Sequence, residues 1–179
     1  MFLGGQFHMK KFLYGIIAAI VLVVIIGACS DSSVEKVEKV DGGKTTETKK
    51  EEKQADKVYN VGDTVKIAGV EYTIASAEYI TTNEYSQPEN GKVLKIHVKA
   101  INNGDNQTMV YSGNFNLYNT DGSQQKEFFG AGSPISGDVN KGKSIEGDIF
   151  FDVAEAPQYE LILKPNPYDK TEAKFNIKL

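Results

Sequence analysis

Between Gly91 and Asn103 the chain reads GKVLKIHVKAINN, in which Leu94, Ile96, Val98 and Ala100 alternate with Lys95, His97 and Lys99. Successive side chains of a β-strand point to opposite faces, so this spacing buries one face and wets the other, which a helix with its 3.6-residue period cannot do. VEYTIASAEYI sets Val70, Tyr72 and Ile74 against Glu71, Thr73 and Ala75 in the same way, and EGDIFFDV, YELILK and KFNIKL are shorter runs rich in aromatic and β-branched residues. Turn signals separate these runs: Gly62-Asp63, Ala68-Gly69, Asn90-Gly91, Asn103-Gly104, Asp121-Gly122 and Lys141-Gly142-Lys143. Asp121-Gly122, between FNLYN and SQQKEFF, has the form of a two-residue hairpin turn. No amphipathic helical stretch of useful length interrupts the pattern. Seven to nine short strands within Val58 to Leu179, 122 residues, predict an all-β fold, an immunoglobulin-like antiparallel β-sandwich. With no Trp and a single Cys in the chain, the Cys–Trp–Cys core of antibody domains is excluded.

That single cysteine stands elsewhere. Phe12 to Ala28 is an uncharged, mostly apolar run, preceded by Lys10 and Lys11 and followed by Cys29 and the polar Ser30 to Ser33. A short basic segment, an apolar core and small residues before a break are the layout of a secretory signal peptide, here predicted as a helix. Its 17 residues would span roughly 25 Å, marginal for a bilayer core of about 30 Å. Met9 before the two lysines reads as an alternative start to Met1. Ile26-Gly27-Ala28-Cys29 resembles the lipobox of bacterial lipoproteins. The resemblance implies cleavage between Ala28 and Cys29 and lipid attachment to the Cys29 thiol, which places the protein on the extracytoplasmic face of the cell membrane. Two acyl chains hold a protein stably where one does not. With Cys29 modified, the folded domain has no thiol for a disulfide, a metal or a nucleophilic role.

Residues 29–57 carry eight acidic residues and seven lysines, no aromatic residue and few aliphatic ones. Such a segment cannot bury enough apolar surface to offset its chain entropy, so it is predicted to be a disordered charged linker, with at most a helical turn or two at VEKVEKV. As a flexible coil it would span roughly 30 Å. The organisation is therefore a signal peptide over 1–28, a lipidated cysteine and linker over 29–57, and a sandwich domain over 58–179.

The successive blocks YNVGDTVKIAGVEYTIASAEYI, GKVLKIHVKAINNGDN, NFNLYNTDGSQQ and NKGKSIEGDIFFDVAEAPQYELIL resemble those of domain-of-unknown-function family 4352. The likeness spans nearly all of Tyr59 to Leu179 and rests on structural motifs: Gly62, Gly142, the INN of Ile101 to Asn103, the DG turn and GDIFFDV. The resemblance implies an immunoglobulin-like sandwich found in bacterial lipoproteins and secreted proteins. It carries no catalytic residues over.

The domain holds 11 lysines, no arginine and 16 acidic residues, a net −5 that argues against nucleic acid as a partner and removes bidentate arginine clamps. Its one histidine, His97, falls on the polar face of a strand between two lysines, and no G-x-S-x-G elbow accompanies it. One histidine and no cysteine are too few for zinc, and the oxygen-rich NNGDNQ and NTDGS read as turns rather than calcium loops. Glu146, Asp148 and Asp152 share a strand face, as solubilising acids commonly do. No catalytic, cofactor-binding or metal residue is therefore assigned. Two long connections remain, Ile80 to Gly91 and Gly130 to Gly142, and Tyr85 in the first is an aromatic anchor of the kind interfaces favour. The expectation is a non-enzymatic binding module with an envelope protein as its partner. Two alternatives stay open. A small-ligand or metal-binding accessory would need a concave pocket lined by tyrosines. An envelope hydrolase would need His97 hydrogen-bonded to both a carboxylate and a hydroxyl.

Overall fold

The alternating segment is the second of three central strands in the larger of two packed sheets. The computed structural model describes Glu38–Lys39 and residues 57–179; the expected signal-peptide helix, the Ala28–Cys29 cleavage site and the rest of the linker lie outside the described residues. In chain order the strands are β1 (Glu38–Lys39), β2 (Val58–Asn60), β3 (Thr64–Ile67), β4 (Val70–Ile80), β5 (Lys92–Asn102), β6 (Thr108–Tyr111), β7 (Phe115–Tyr118), β8 (Lys126–Glu127), β9 (Ser136–Val139), β10 (Ser144–Val153), β11 (Gln158–Leu163) and β12 (Ala173–Lys178). Sheet A has the order β1-β3-β4-β5-β10-β8 and sheet B the order β2-β12-β11-β7, while β6 and β9 pair separately. The immunoglobulin-like sandwich expected from the sequence is the fold observed.

Each sheet turns one face inward. Tyr72, Ile74, Leu94, Ile96, Val98 and Ile149 from sheet A meet Leu117, Tyr159, Leu161, Phe175 and Ile177 from sheet B in one buried cluster. Each such apolar side chain contributes roughly 1.5–3 kcal/mol on burial. In β4 the pairing with β5 slips between Ile74 and Ser76. Ala75 is thus the extra residue of a bulge, and Ala75 and Ser76 are both exposed where strict alternation would bury one. The slip keeps Tyr79 against the core, packed beside the buried cluster.

Three expectations are corrected. The sandwich is not wholly antiparallel, because β2 runs parallel to β12 along the edge of sheet B. After β1 on the edge of sheet A, the chain passes to sheet B as β2 beside its last strand and returns to sheet A as β3. The turn at Asp121-Gly122 forms, with Gly122 at φ 84° and its N–H bonded to Asn119 O at 3.0 Å, but the hairpin does not extend. After the Tyr118–Gln124 bridge the returning chain leaves sheet B, and Lys126–Glu127 pair with Asp152 and Phe151 of β10 instead. The linker is not without regular structure throughout either. Glu38 and Lys39 pair antiparallel with Lys66 and Val65 of β3, where the composition predicts a disordered spacer or a helical turn. Without β1, the strand β3 would present unpaired backbone groups at the edge of sheet A, and main-chain pairing needs no apolar side chains.

The strand directions define two poles. Val70, Asn102 and Ser144 lie at one, and Val58 enters beside Lys174 in the half of sheet B that begins β12. Ile80, Lys92 and Val153 lie at the other, which carries the Ile80–Gly91 connection.

Candidate functional site

The outer face of sheet A divides into a charged half and an apolar half. In the charged half, Ser76, His97 and Asp148 are register partners across β4, β5 and β10. His97 Nδ1 lies 2.7 Å from Asp148 Oδ1, with both side chains about one-third exposed. The pair has the His–carboxylate half of a catalytic arrangement, but among the described residues no hydroxyl is hydrogen-bonded to His97. One step along, Lys95 Nζ is 2.5 Å from Glu78 Oε1. The hydrogen bond it donates to Glu78 is the main reason the Lys95 ammonium is held above its ordinary range, and the charges of Glu78 and Asp148 add to it. These residues form a solvated ladder of alternating charge, in which side-by-side opposite charges stabilise a sheet modestly.

The apolar half is built on β10. Phe150 and Asp152 share the outward direction of Lys95 and Val93, their register partners, yet Phe150, Val93 and Asp152 are all buried. They are covered by the two connections that the sequence singled out. Asp152, 4 % exposed, accepts the backbone N–H of Glu89 on Oδ2 at 2.8 Å and that of Asn90 on Oδ1 at 2.9 Å. A carboxylate that accepts two backbone N–H groups is well satisfied in a buried setting, and charge-assisted bonds of this kind are the strong ones. Lys126 Nζ adds a pairing to Glu89 Oε2 at 2.9 Å from the neighbouring strand. The second connection leaves the edge of β10 after Phe128, whose N–H bonds Phe150 O, and rejoins at Ile135, whose N–H bonds Asp148 O, both at 2.8 Å. Gly130 lies so close to Ser86 that a Cβ there would overlap its hydroxyl, and a Cβ on Gly132 would touch the Phe150 ring.

The two connections therefore meet, and each exposes one aromatic side chain next to the meeting point. Tyr85 is 91 % exposed and Phe129 70 % exposed. Sequence reasoning found Tyr85 and missed Phe129. The signal was the tandem Phe128-Phe129, since two consecutive residues along an extended chain face opposite ways and one of them must point outward.

Sheet B carries a second feature on its outer face, an open trough of about 480 Å³. Its lining includes Tyr118, Gln158, Glu160, Ile162 and Asn176, with Asn119, Thr120 and Gly122 as a rim. Asn60, Asn176, Glu160 and Tyr118 stand in one register row across β2, β12, β11 and β7. No sequence pattern marks these residues, because a row across four strands exists only after pairing.

The remaining expectations resolve as turns and pairs. Asn102, fully buried, donates from Nδ2 to the carbonyls of Asn106 and Val139, both at 2.7 Å, and its Oδ1 accepts from Gly104 N–H at 2.9 Å. The oxygen-rich NNGDNQ is thus a turn organised from within, and Lys141 Nζ pairs with Asp105 across it at 2.6 Å. In NTDGS, Asp121 Oδ1 accepts from Ser123 Oγ and N–H, and these bonds lower its carboxyl below the usual range. Asp148 and Asp152 serve separate partners. Among the described residues no group of three or more His, Cys, Asp or Glu is placed to hold a metal.

Compared with known proteins, residues 59–174 match the family model described as a domain of unknown function, DUF4352. The chain belongs to the DUF4352 family. It is 30% identical over 172 residues to an uncharacterized lipoprotein, YcdA, of Bacillus subtilis (strain 168), covering 92% of this chain and 42% of that protein. The chain therefore spans less than half the length of that relative. The crystal structure of the Bacillus subtilis lipoprotein ycdA superposes with a TM-score of 0.54 at 27% identity, over 62% of this chain and 37% of that one. The yjhA protein of the same organism superposes with a TM-score of 0.53 at 16% identity, over 68% of this chain and 99% of that one, a likeness of fold alone. Within the DUF4352 match, the blocks that carry the resemblance do structural work. Asn102 of INN closes the polar turn, GDIFFDV supplies both the core residues and the loop-holding Asp152, and Gly62 and Gly142 adopt φ 93° and 73° at turns.

Proposed function

We propose that this chain is a membrane-anchored lipoprotein of the cell envelope, held through lipid on Cys29 at the extracytoplasmic face, whose domain acts by binding a partner protein and not by catalysis. The observation that carries the reading is the pair of protruding aromatics, Tyr85 and Phe129, on two connections that are fastened to each other and to β10. Exposed aromatic side chains on held loops are the anchors that interfaces use, because little conformational freedom is lost when they dock. Anchoring is supported by the lipobox-like Ile26 to Cys29 and by likeness to a lipoprotein over most of the chain. Glu84 flanks Tyr85 and no lysine occurs between Ile80 and Gly91, so the partner's complementary face is cationic.

The test is photo-crosslinking in cells, with the reactive residue placed in turn at Tyr85, Phe129 and Thr120. One envelope protein captured from the first two positions and not from the third is the expected result. Its capture should be lost in the Asp152→Ala chain, where the loops are no longer held. Equal capture from all three positions, or none from Tyr85 and Phe129, would overturn the docking surface.

A further inference from the structure

We propose that the outer face of sheet B is a second binding site, for a neutral glycan chain lying across the strands. Three features of the trough lead there. The first is its shape. It is an open trough that crosses sheet B from β2 at one edge to β7 at the other, over the paired strands β12 and β11. A peptide that docks by strand addition would run along the outer edge of β2 or β7, parallel to the strands, and would not lie across them. The row from Asn60 to Tyr118 crosses four strands, about 14 Å at the usual strand spacing, long enough for several linked sugars.

The second feature is chemical. Gln158 and Asn176 supply amides, each both donor and acceptor, and Glu160 between them supplies acceptors. None of these three side chains is hydrogen-bonded to another described residue, so each is available to a ligand. Hydroxyl groups are what such a mixed set satisfies best. The third is the apolar surface beside them, Tyr118 at the end of the row and Ile162 in the next, against which the C–H faces of a sugar ring pack. The one charged lining residue is Glu160, and Lys174 and Lys178 flank it on β12 as register partners of Ile162 and Gln158, so charges of both signs surround the trough and no ligand of a single sign is selected.

The experiment titrates the ¹⁵N-labelled full chain, held in detergent, with the β-1,4-linked tetrasaccharides of glucose and of N-acetylglucosamine up to ~10 mM, a range that reaches weak complexes. At least one of them should shift amides of β7, β11 and β12. The Tyr118→Ala chain should bind about tenfold more weakly, while Tyr118→Phe, which keeps the ring, binds as the unaltered chain does. Asn176→Ala should also weaken binding, and it decides the matter if Tyr118→Ala does not fold. Shifts absent for both sugars, shifts confined to the other sheet, or full affinity without the Tyr118 ring and the Asn176 amide would overturn the site. Crosslinking from Tyr85 tests the opposite sheet, so either surface can fail without the other.

Discussion

The phenolic oxygens of Tyr79 and Tyr159, 80 residues apart in sequence, lie 2.9 Å from each other where the two sheets are joined. Tyr79 Oη accepts from Ala156 N–H and lies 2.9 Å from the Ala156 carbonyl, while Tyr159 Oη donates to Ala154 O. Both rings thus fasten the short crossing from β10 to β11, which carries the chain from one sheet to the other. Tyr159→Phe keeps the buried ring and removes the hydroxyl, leaving the Ala154 carbonyl without that donor. The loss should be about 1–2 kcal/mol, measured as a lower urea midpoint at unchanged slope.

The same pair sets an alkaline limit. Burial first, and then the bond to Tyr79, push the Tyr159 hydroxyl well above its ordinary value of 10.0. A folded-state value above the unfolded one means that the fold favours the protonated phenol. Its contribution to stability is complete below pH 10 and declines as the pH rises beyond that, through the folded-state value. Thermal unfolding followed from pH 9 upward should therefore show a fall that is smaller in the Tyr159→Phe chain.

Asp152→Ala removes the acceptor for two backbone N–H groups. The expected cost is about 3 kcal/mol, two charge-assisted bonds at the lower end of their usual worth. The diagnostic measurement is local. Hydrogen exchange at Glu89 and Asn90 should accelerate more than at the β4–β5 core amides, whereas Asp152→Asn, which keeps one acceptor, should fall between.

Gly69→Ala tests the turn between β3 and β4, where backbone meets backbone. Gly69 has φ 78°, and a Cβ there would lie 2.6 Å from Gly104 Cα. Strain and overlap fall on backbone that cannot step aside, so the substitution should cost about 1–3 kcal/mol. Gly62→Ala, at φ 93° but with open space around it, should cost less.

Cys29→Ala should move the protein from the membrane fraction to the soluble one while leaving the thermal midpoint of its domain unchanged. Membrane retention of that variant would show that something other than the lipid holds it.

The strands were legible because their information is local. β4 and β5 could be read from alternation alone, and the Phe128-Phe129 tandem would have placed Phe129 outside. What could not be read is what pairing decides. Whether Asp148 and Asp152 act together depends on which segments cover β10, and the answer lies about 60 residues away at Glu89 and Asn90. The departure of β8 from its hairpin, like the row from Asn60 to Tyr118, follows from competition between edges. No pattern within one segment records that.

The pairing of Glu38–Lys39 with β3 changes the reach of the whole molecule. Measured to Val58, the leash from Cys29 is 29 residues long, or at most about 100 Å when drawn taut. Measured to Glu38 it is nine residues, about 30 Å at most. With the proposed lipid on Cys29, the closed two-residue clasp would hold the edge of sheet A within that shorter length of chain from the anchor. Opening the clasp would more than triple the radius that the domain can sweep.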